Sequence, residues 1–325
     1  MQSPALPNLD LTRLNTYSLF SRPSKVHARQ LGCIVGAEAT VNQLLNNLPD
    51  QLAGCSLRRW RDALWSAHQD HRPVVAALGG HVVKTGCTPY LIDWIRRGVL
   101  SAVCLNGAAA IHDVELAVAG HTSEDVAAGL IDGSFGMARE TSILFARAAN
   151  EAHDKECGLG AALGAVLQRE PCARPDISLV RTAAEASIPC SIHITLGTDV
   201  VHMHPCISGA HLGEASLRDF YLICAVVAGL AKGVWMNLGS AVILPEVFLK
   251  AVSVARNLGH TLEGMTTVDL DMVQQYRAQA NVLERPNGNA ISITGHHEIM
   301  IPLIHAAVAA RLHVPEANRP GNNPE

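Results

Sequence analysis

From residue 74 onward, short apolar runs alternate with longer stretches of helical period, and this alternation leaves few folds open. The apolar runs occupy residues 74–78, 102–105, 190–195, 233–238, 264–268 and 290–293. Helical periodicity occupies residues 89–97, 123–130, 140–152, 177–186, 217–231, 245–258 and 299–312. Runs this short read as buried strands, and the longer segments as helices with one apolar face. The order predicts an α/β fold: a doubly wound, mostly parallel sheet, Rossmann-like, with right-handed crossovers and helices on both faces. An earlier helical pattern surrounds Leu44, Leu45, Leu57, Trp60, Leu64 and Trp65.

Residues 1–30, with Pro4, Pro7 and Pro23 and no sustained period, read as an N-terminal arm expected to cover a neighbour's site. Residues 31–314 read as a single α/β domain, and residues 315–325 as a flexible C-terminal tail. Hydrophobic residues make up 48% of the chain and aromatic residues 4%, so the core is built from Ala, Val, Leu and Ile. Charged residues, at 17%, are scarce enough to imply surface covered by another subunit. A net charge of −4 without a Lys/Arg cluster argues against nucleic acid as a partner. No apolar run reaches the roughly 18 residues of a membrane span, and Met1-Gln2-Ser3-Pro4 lacks the start of a signal peptide, so the expected location is the cytoplasm. The nine cysteines include no Cys-x-x-Cys pair and are expected to be reduced and mostly buried.

In open parallel sheets ligands bind at the carboxyl ends of the strands. The first two strands here end in small-residue turns, Gly79-Gly80-His81-Val82-Val83-Lys84-Thr85-Gly86 and Asn106-Gly107-Ala108-Ala109-Ala110-Ile111-His112-Asp113. Small residues allow close approach to the backbone, and a following helix N-terminus favours phosphate. Gly79, Gly80, Thr85, Gly86, Asn106, Gly107, Ala108 and Ala109 are therefore the candidate NAD-binding residues. No Gly-x-Gly-x-x-Gly fingerprint occurs, and the structural alternative is that these glycines only tighten turns. Polar residues also gather after the later strands, whereas the strand interiors are almost free of them.

The segment 106–113 resembles the Ala-Gly-Gly-Val-Glu-Glu-Asp turn of the deoxyhypusine synthase family. Ile188-Pro189-Cys190 through Thr198-Asp199 is similar to that family's Ile-Pro-Val strand leading to Thr-Asp-Gly, and Ser208-Gly209-Ala210-His211-Leu212-Gly213-Glu214 to its Gly-Ser-Leu-Gly-Asp. The resemblance, strongest to the bacterial deoxyhypusine-synthase-like branch, covers residues 74–256. It implies an NAD-binding parallel sheet, a homotetramer with interface active sites, and chemistry that begins by oxidising an amine. The family's catalytic lysine aligns with Leu244, within Gly239-Ser240-Ala241-Val242-Ile243-Leu244-Pro245, which removes the expected imine-forming group.

Hydride transfer from an amine or alcohol carbon needs a base to take the proton. His112 is the candidate, with Asp113 as its orienting carboxylate and helix capping as the structural alternative for Asp113. Lys84, one of five lysines, is the candidate charge for a substrate carboxylate or phosphate. His193, Asp199, His202 and His204 form the candidate substrate grip, joined by Asn237, Ser240 and Glu246 and by His296, His297 and Glu298. The expectation is an NAD-dependent transferase or oxidoreductase acting on an amine or alcohol carbon of a small polar substrate, with possible transfer of the fragment to a small acceptor. Two alternatives stay open: a metal-dependent hydrolase or lyase using His193, Asp199, His202 and His204, and a non-catalytic family member that pairs with an active partner.

Overall fold

The computed structural model describes residues 9–312, so the expected tail and the first eight residues of the arm lie outside the described residues. In chain order the elements are α1 (Val41–Asn47), α2 (Leu52–Gln69), β1 (Val74–Leu78), α3 (Gly80–Lys84), α4 (Thr88–Arg96), β2 (Ala102–Asn106), α5 (Gly107–Ala119), α6 (Val126–Asp132), α7 (Arg139–Asp154), α8 (Leu159–Arg169) and α9 (Leu179–Glu185). They continue with β3 (Cys190–His193), α10 (Gly209–Ala228), β4 (Val234–Leu238), α11 (Ile243–Asn257), β5 (Thr266–Asp271), α12 (Tyr276–Ala278), β6 (Asn289–Thr294) and α13 (His297–Leu312).

All strand pairs are parallel, in the order β3-β2-β1-β4-β5-β6. That is the doubly wound order in which two βαβ halves run outward from a central β1/β4 pair. Every residue of β1 is buried, as expected for a strand covered by helices on both faces. Its side chains alternate between two cores: Val74, Ala76 and Leu78 pack with Trp60, Leu64 and Leu91, while Val75 and Ala77 pack with Trp235, Leu244 and Phe248. In the second core the rings of Trp235 and Phe248 stack 4.4 Å apart.

Three departures from the sequence reading have local causes. Residues 80–84 form a short helix, α3, instead of an open turn. Helix α8 was not read at all, because Gly160 and Gly164 depress its propensity. Those glycines serve close packing: a Cβ on Gly160 would lie 2.1 Å from the Cys190 carbonyl oxygen, and one on Gly164 2.7 Å from the Ala184 Cβ. The segment 276–284, also unread, is one α-turn continuing into a π-helix over Gln279–Glu284. All nine cysteines are unpaired, but only Cys87, Cys104, Cys190 and Cys224 are buried, fewer than expected. No helix among the described residues is long and apolar enough to cross a membrane.

Candidate active site

The chain leaves β1 toward one face of the sheet and β4 toward the other, so the β1/β4 exit is the topological switch point. The two exits pack closely on each other there. Gly79 N–H donates to the Leu238 carbonyl at 2.9 Å, and a Cβ on Gly79 would fall 1.9 Å from the Gly239 carbonyl oxygen. Gly239 has φ +65°, and a Cβ on it would meet His297 Nε2 at 2.9 Å. Only glycine satisfies both constraints.

Beside this crevice α3 packs on α5, and a cavity of about 220 Å³ opens among Lys84, His112, Glu115, Glu124, Phe135 and Asp199. Its central feature is a relay. Thr122 Oγ1 donates to Glu115 Oε2 at 2.5 Å, and His112 Nδ1 lies 2.7 Å from the same hydroxyl oxygen. Because the hydroxyl's single proton goes to the carboxylate, its oxygen accepts from His112 Nδ1–H, and the neutral ring keeps its lone pair on Nε2. Thr141 Oγ1 donates to the other Glu115 oxygen at 3.0 Å. Burial lowers the His112 pKa, Glu115 raises it, and the Lys84 ammonium lowers it, for a net depression. The imidazole is therefore neutral near pH 7 and carries a free base atom.

The expected orienter, Asp113, does something else. It is fully buried and accepts from Ser178 Oγ at 2.7 Å, Leu179 N–H at 2.7 Å and Val180 N–H at 3.2 Å. It caps α9, and its carboxyl is pushed up to about 6 by burial against the lowering pull of those bonds. Consecutive helix residues do not share a face, so His112 and Asp113 cannot work as a pair here. Glu115 and Thr122 take that role and were missed. The His112-x-x-Glu115 spacing was the available signal, since residues three apart do share a helix face.

Asp199 and His202 meet at the start of α5. His202 Nδ1 accepts from Gly197 N–H at 3.1 Å and Asp199 N–H at 3.3 Å, which places the ring proton of the neutral form on Nε2. That atom lies 3.9 Å from Asp199 Oδ2, and both are buried without a hydrogen-bond partner. A Cβ on Gly107 would sit 2.0 Å from Asp199 Oδ2. Burial raises the Asp199 pKa, while His202 lowers it.

The other expected residues separate. His193 is buried 3.1 Å from Ser191 Oγ, with its pKa lowered to about 4 by burial, and His204 Nε2 lies 2.8 Å from the Gly136 carbonyl oxygen. His193 and His204 therefore do not join His202 at Asp199, and no group of three metal-ligating side chains occurs among the described residues. Glu246 is engaged by Lys250 and Arg277 and by Asn281 Nδ2 at 2.9 Å, an outer-face network away from the cavity. His296 and Glu298 are exposed at the start of α13. His297 is buried, with Nε2 donating to the Leu270 carbonyl at 3.2 Å, and burial lowers its pKa. Asn237 Nδ2 donates to the Ser240 carbonyl at 2.9 Å and to Asp269 Oδ1 at 2.8 Å, leaving Asn237 Oδ1 and His297 Nδ1 unpartnered at the strand exits. The Ser240 hydroxyl caps α11 by accepting from Leu244 N–H. Leu244, at the resembled family's lysine position, is fully buried in the second core.

A dinucleotide fits part of this arrangement. The Asn237 and His297 acceptors at the strand exits have no donor, whereas Gly79, Gly80 and Gly239 serve close packing within the chain, against the Gly239 carbonyl, α5 and His297. The first turn of α5 does not fit in the same way. Asn106 Oδ1 already accepts from Ala109 N–H at 2.9 Å, and the Asp199 carboxylate lies against Gly107. The Ala109 N–H is therefore not a free donor to a phosphate, and a phosphate beside Gly107 would face the Asp199 carboxylate. Thr85 and Gly86 close the far end of α3, where the Thr85 hydroxyl bonds the His81 carbonyl and Gly86 turns the chain at φ +79°.

No family model matches this sequence, and no curated protein is similar to it. Solved structures are. AgrE in ternary complex with ornithine and NAD+ superposes with a TM-score of 0.53 at 15% identity, over 79% of this chain and 33% of AgrE, so the chain spans about a third of that protein. A LOR/SDH protein from Methanococcus maripaludis S2 matches with a TM-score of 0.51 at 14% identity over 82% of this chain and 72% of its own. A protein assigned as a deoxyhypusine synthase in Entamoeba histolytica matches with a TM-score of 0.51 at 12% identity over 84% and 94%. The likeness is one of fold, and at that level it agrees with the resemblance read from the sequence.

Proposed function

We propose that this chain is an NAD-dependent enzyme that oxidises the amine-bearing carbon of a small amino acid. The observation that carries the proposal is the free lone pair of His112 Nε2, set by the Thr122–Glu115 relay, in a cavity beside the Gly79/Gly239 strand exits. AgrE, a third of which shares this fold, forms a ternary complex with ornithine and NAD+, which supports the choice of cofactor and substrate class. Gly79, Gly80 and Gly239 would hold the dinucleotide, which when bound supplies a hydride acceptor. His112 takes a proton from the substrate ammonium through Nε2, freeing the nitrogen lone pair that drives oxidation. Lys84 holds the substrate carboxylate, and Asp199 with His202 supplies an acceptor and a donor to a further polar group. The arm exposes Tyr17 and Phe20, which supports assembly with further copies and a homotetramer as the state to test.

The test is isothermal titration with NAD+ followed by incubation with a panel of L-amino acids. Substrate loss is the readout, because oxidation and reduction within one turnover leave no NADH. The proposal expects saturable NAD+ binding, and consumption of at least one amino acid that is lost in His112→Gln while NAD+ binding persists. Consumption that continues unchanged in His112→Gln, or a panel left intact by NAD+-loaded protein, contradicts it.

A further inference from the structure

A second cavity, of about 390 Å³, lies on the other side of the relay, between α5, the loop after it and α7. Its floor is apolar, formed by Val114, Val118 and Leu144, and its polar wall includes three carboxylates, Glu115, Glu124 and Glu140, against one titratable imidazole, His121, and no lysine or arginine. It shares Glu115 and Glu124 with the first cavity, and Thr122 lines it directly. Cavities of this size accept small ligands. An apolar floor under carboxylates selects a ligand with a hydrocarbon body and one positive charge, since an anion would face repulsion and a neutral body would forgo the charge pairing.

We infer that this second cavity is an effector site for a small hydrophobic ammonium ion, which regulates His112 through its contact with Glu115 and Thr122. The regulatory consequence rests on the proposed role of His112, whereas binding itself does not. Glu115 raises the proton affinity of His112. A cation beside Glu115 offsets that influence and makes His112 less basic.

The experiment titrates the full chain with cyclohexylammonium, and with cyclohexanol and cyclohexanecarboxylate as neutral and anionic counterparts. Binding is followed by calorimetry, and His112 by its ring-proton resonances, assigned with His112→Gln. Cyclohexylammonium is expected to bind at least ~10-fold more tightly than either counterpart, to lose ~10-fold or more in Val118→Phe and several-fold in exposed Glu140→Gln, and to shift the His112 titration to lower pH. NAD+ titration of the same variants reports separately on the proposed function. Absence of saturable binding, equal binding of the three probes, or binding that survives Val118→Phe would overturn the inference, whatever NAD+ does.

Discussion

His112 Nδ1 and Thr122 Oγ1 stand 2.7 Å apart, and because that hydroxyl spends its proton on Glu115, the geometry dictates which imidazole nitrogen is the base. Thr122→Val removes the acceptor while keeping the shape. The expected result is a mixture of His112 tautomers in ring 15N spectra and a turnover about 10–100-fold lower, with NAD+ affinity unchanged. An unaltered tautomer would show that the relay does not orient the ring.

Asp113 belongs to the scaffold. Asp113→Ala strands Ser178 and two backbone donors at the start of α9, and the expected loss is about 2–4 kcal/mol in urea unfolding. Variant protein that remains folded is expected to bind NAD+ as the wild type does.

These two neighbours show what was legible in the chain and what was not. The strands were readable because β1 and its partner β4 are buried and so run apolar, broken in β4 only by Asn237. The polar strand exits led to His112, Lys84 and Asp199, which the fold brings to one cavity. Adjacency in sequence does not make Asp113 the partner of His112, because on a helix the next residue points about 100° away. Thr122 was out of reach, since it joins the relay only when the chain turns back after the left-handed Gly120. His193 and His204 looked like ligands by composition, yet backbone and hydroxyl partners hold each of them elsewhere.

The stability contributed by the buried carboxylates is expected to fall as pH rises toward neutrality. Asp219 is buried, with its carboxyl raised to about 7 from an ordinary 3.8, because burial outweighs its bonds from Gly160 and Ile192 N–H. The folded chain thus holds that proton more tightly than the unfolded one. The stability so contributed is complete below 3.8 and lost as pH rises through about 7. Asp113 and Asp269, each raised to about 6, act in the same direction. His193, lowered to about 4, acts in the opposite direction, so the Asp219 share is read from the difference in urea unfolding between wild type and Asp219→Asn from pH 4 to pH 8, with a slope of at most ~1.4 kcal/mol per pH unit. Asp219→Asn should flatten that share, and an unchanged slope would assign the dependence to other groups.

Gly79→Ala forces a methyl toward the Gly239 carbonyl, 1.9 Å from the ideal Cβ position. The β1 and β4 exits must separate, at an expected cost of about 1–3 kcal/mol. NAD+ binding should be lost with it, whereas Gly86→Ala, at the far end of α3, should disturb the local turn at φ +79° and leave NAD+ binding measurable.

Calorimetric titration of the full-length chain with NAD+ tests the central claim most directly. The account predicts saturable binding of one NAD+ per chain in the wild type and in His112→Gln, and its loss in Gly79→Ala. No heat of binding at millimolar NAD+, or binding untouched by Gly79→Ala, would contradict it.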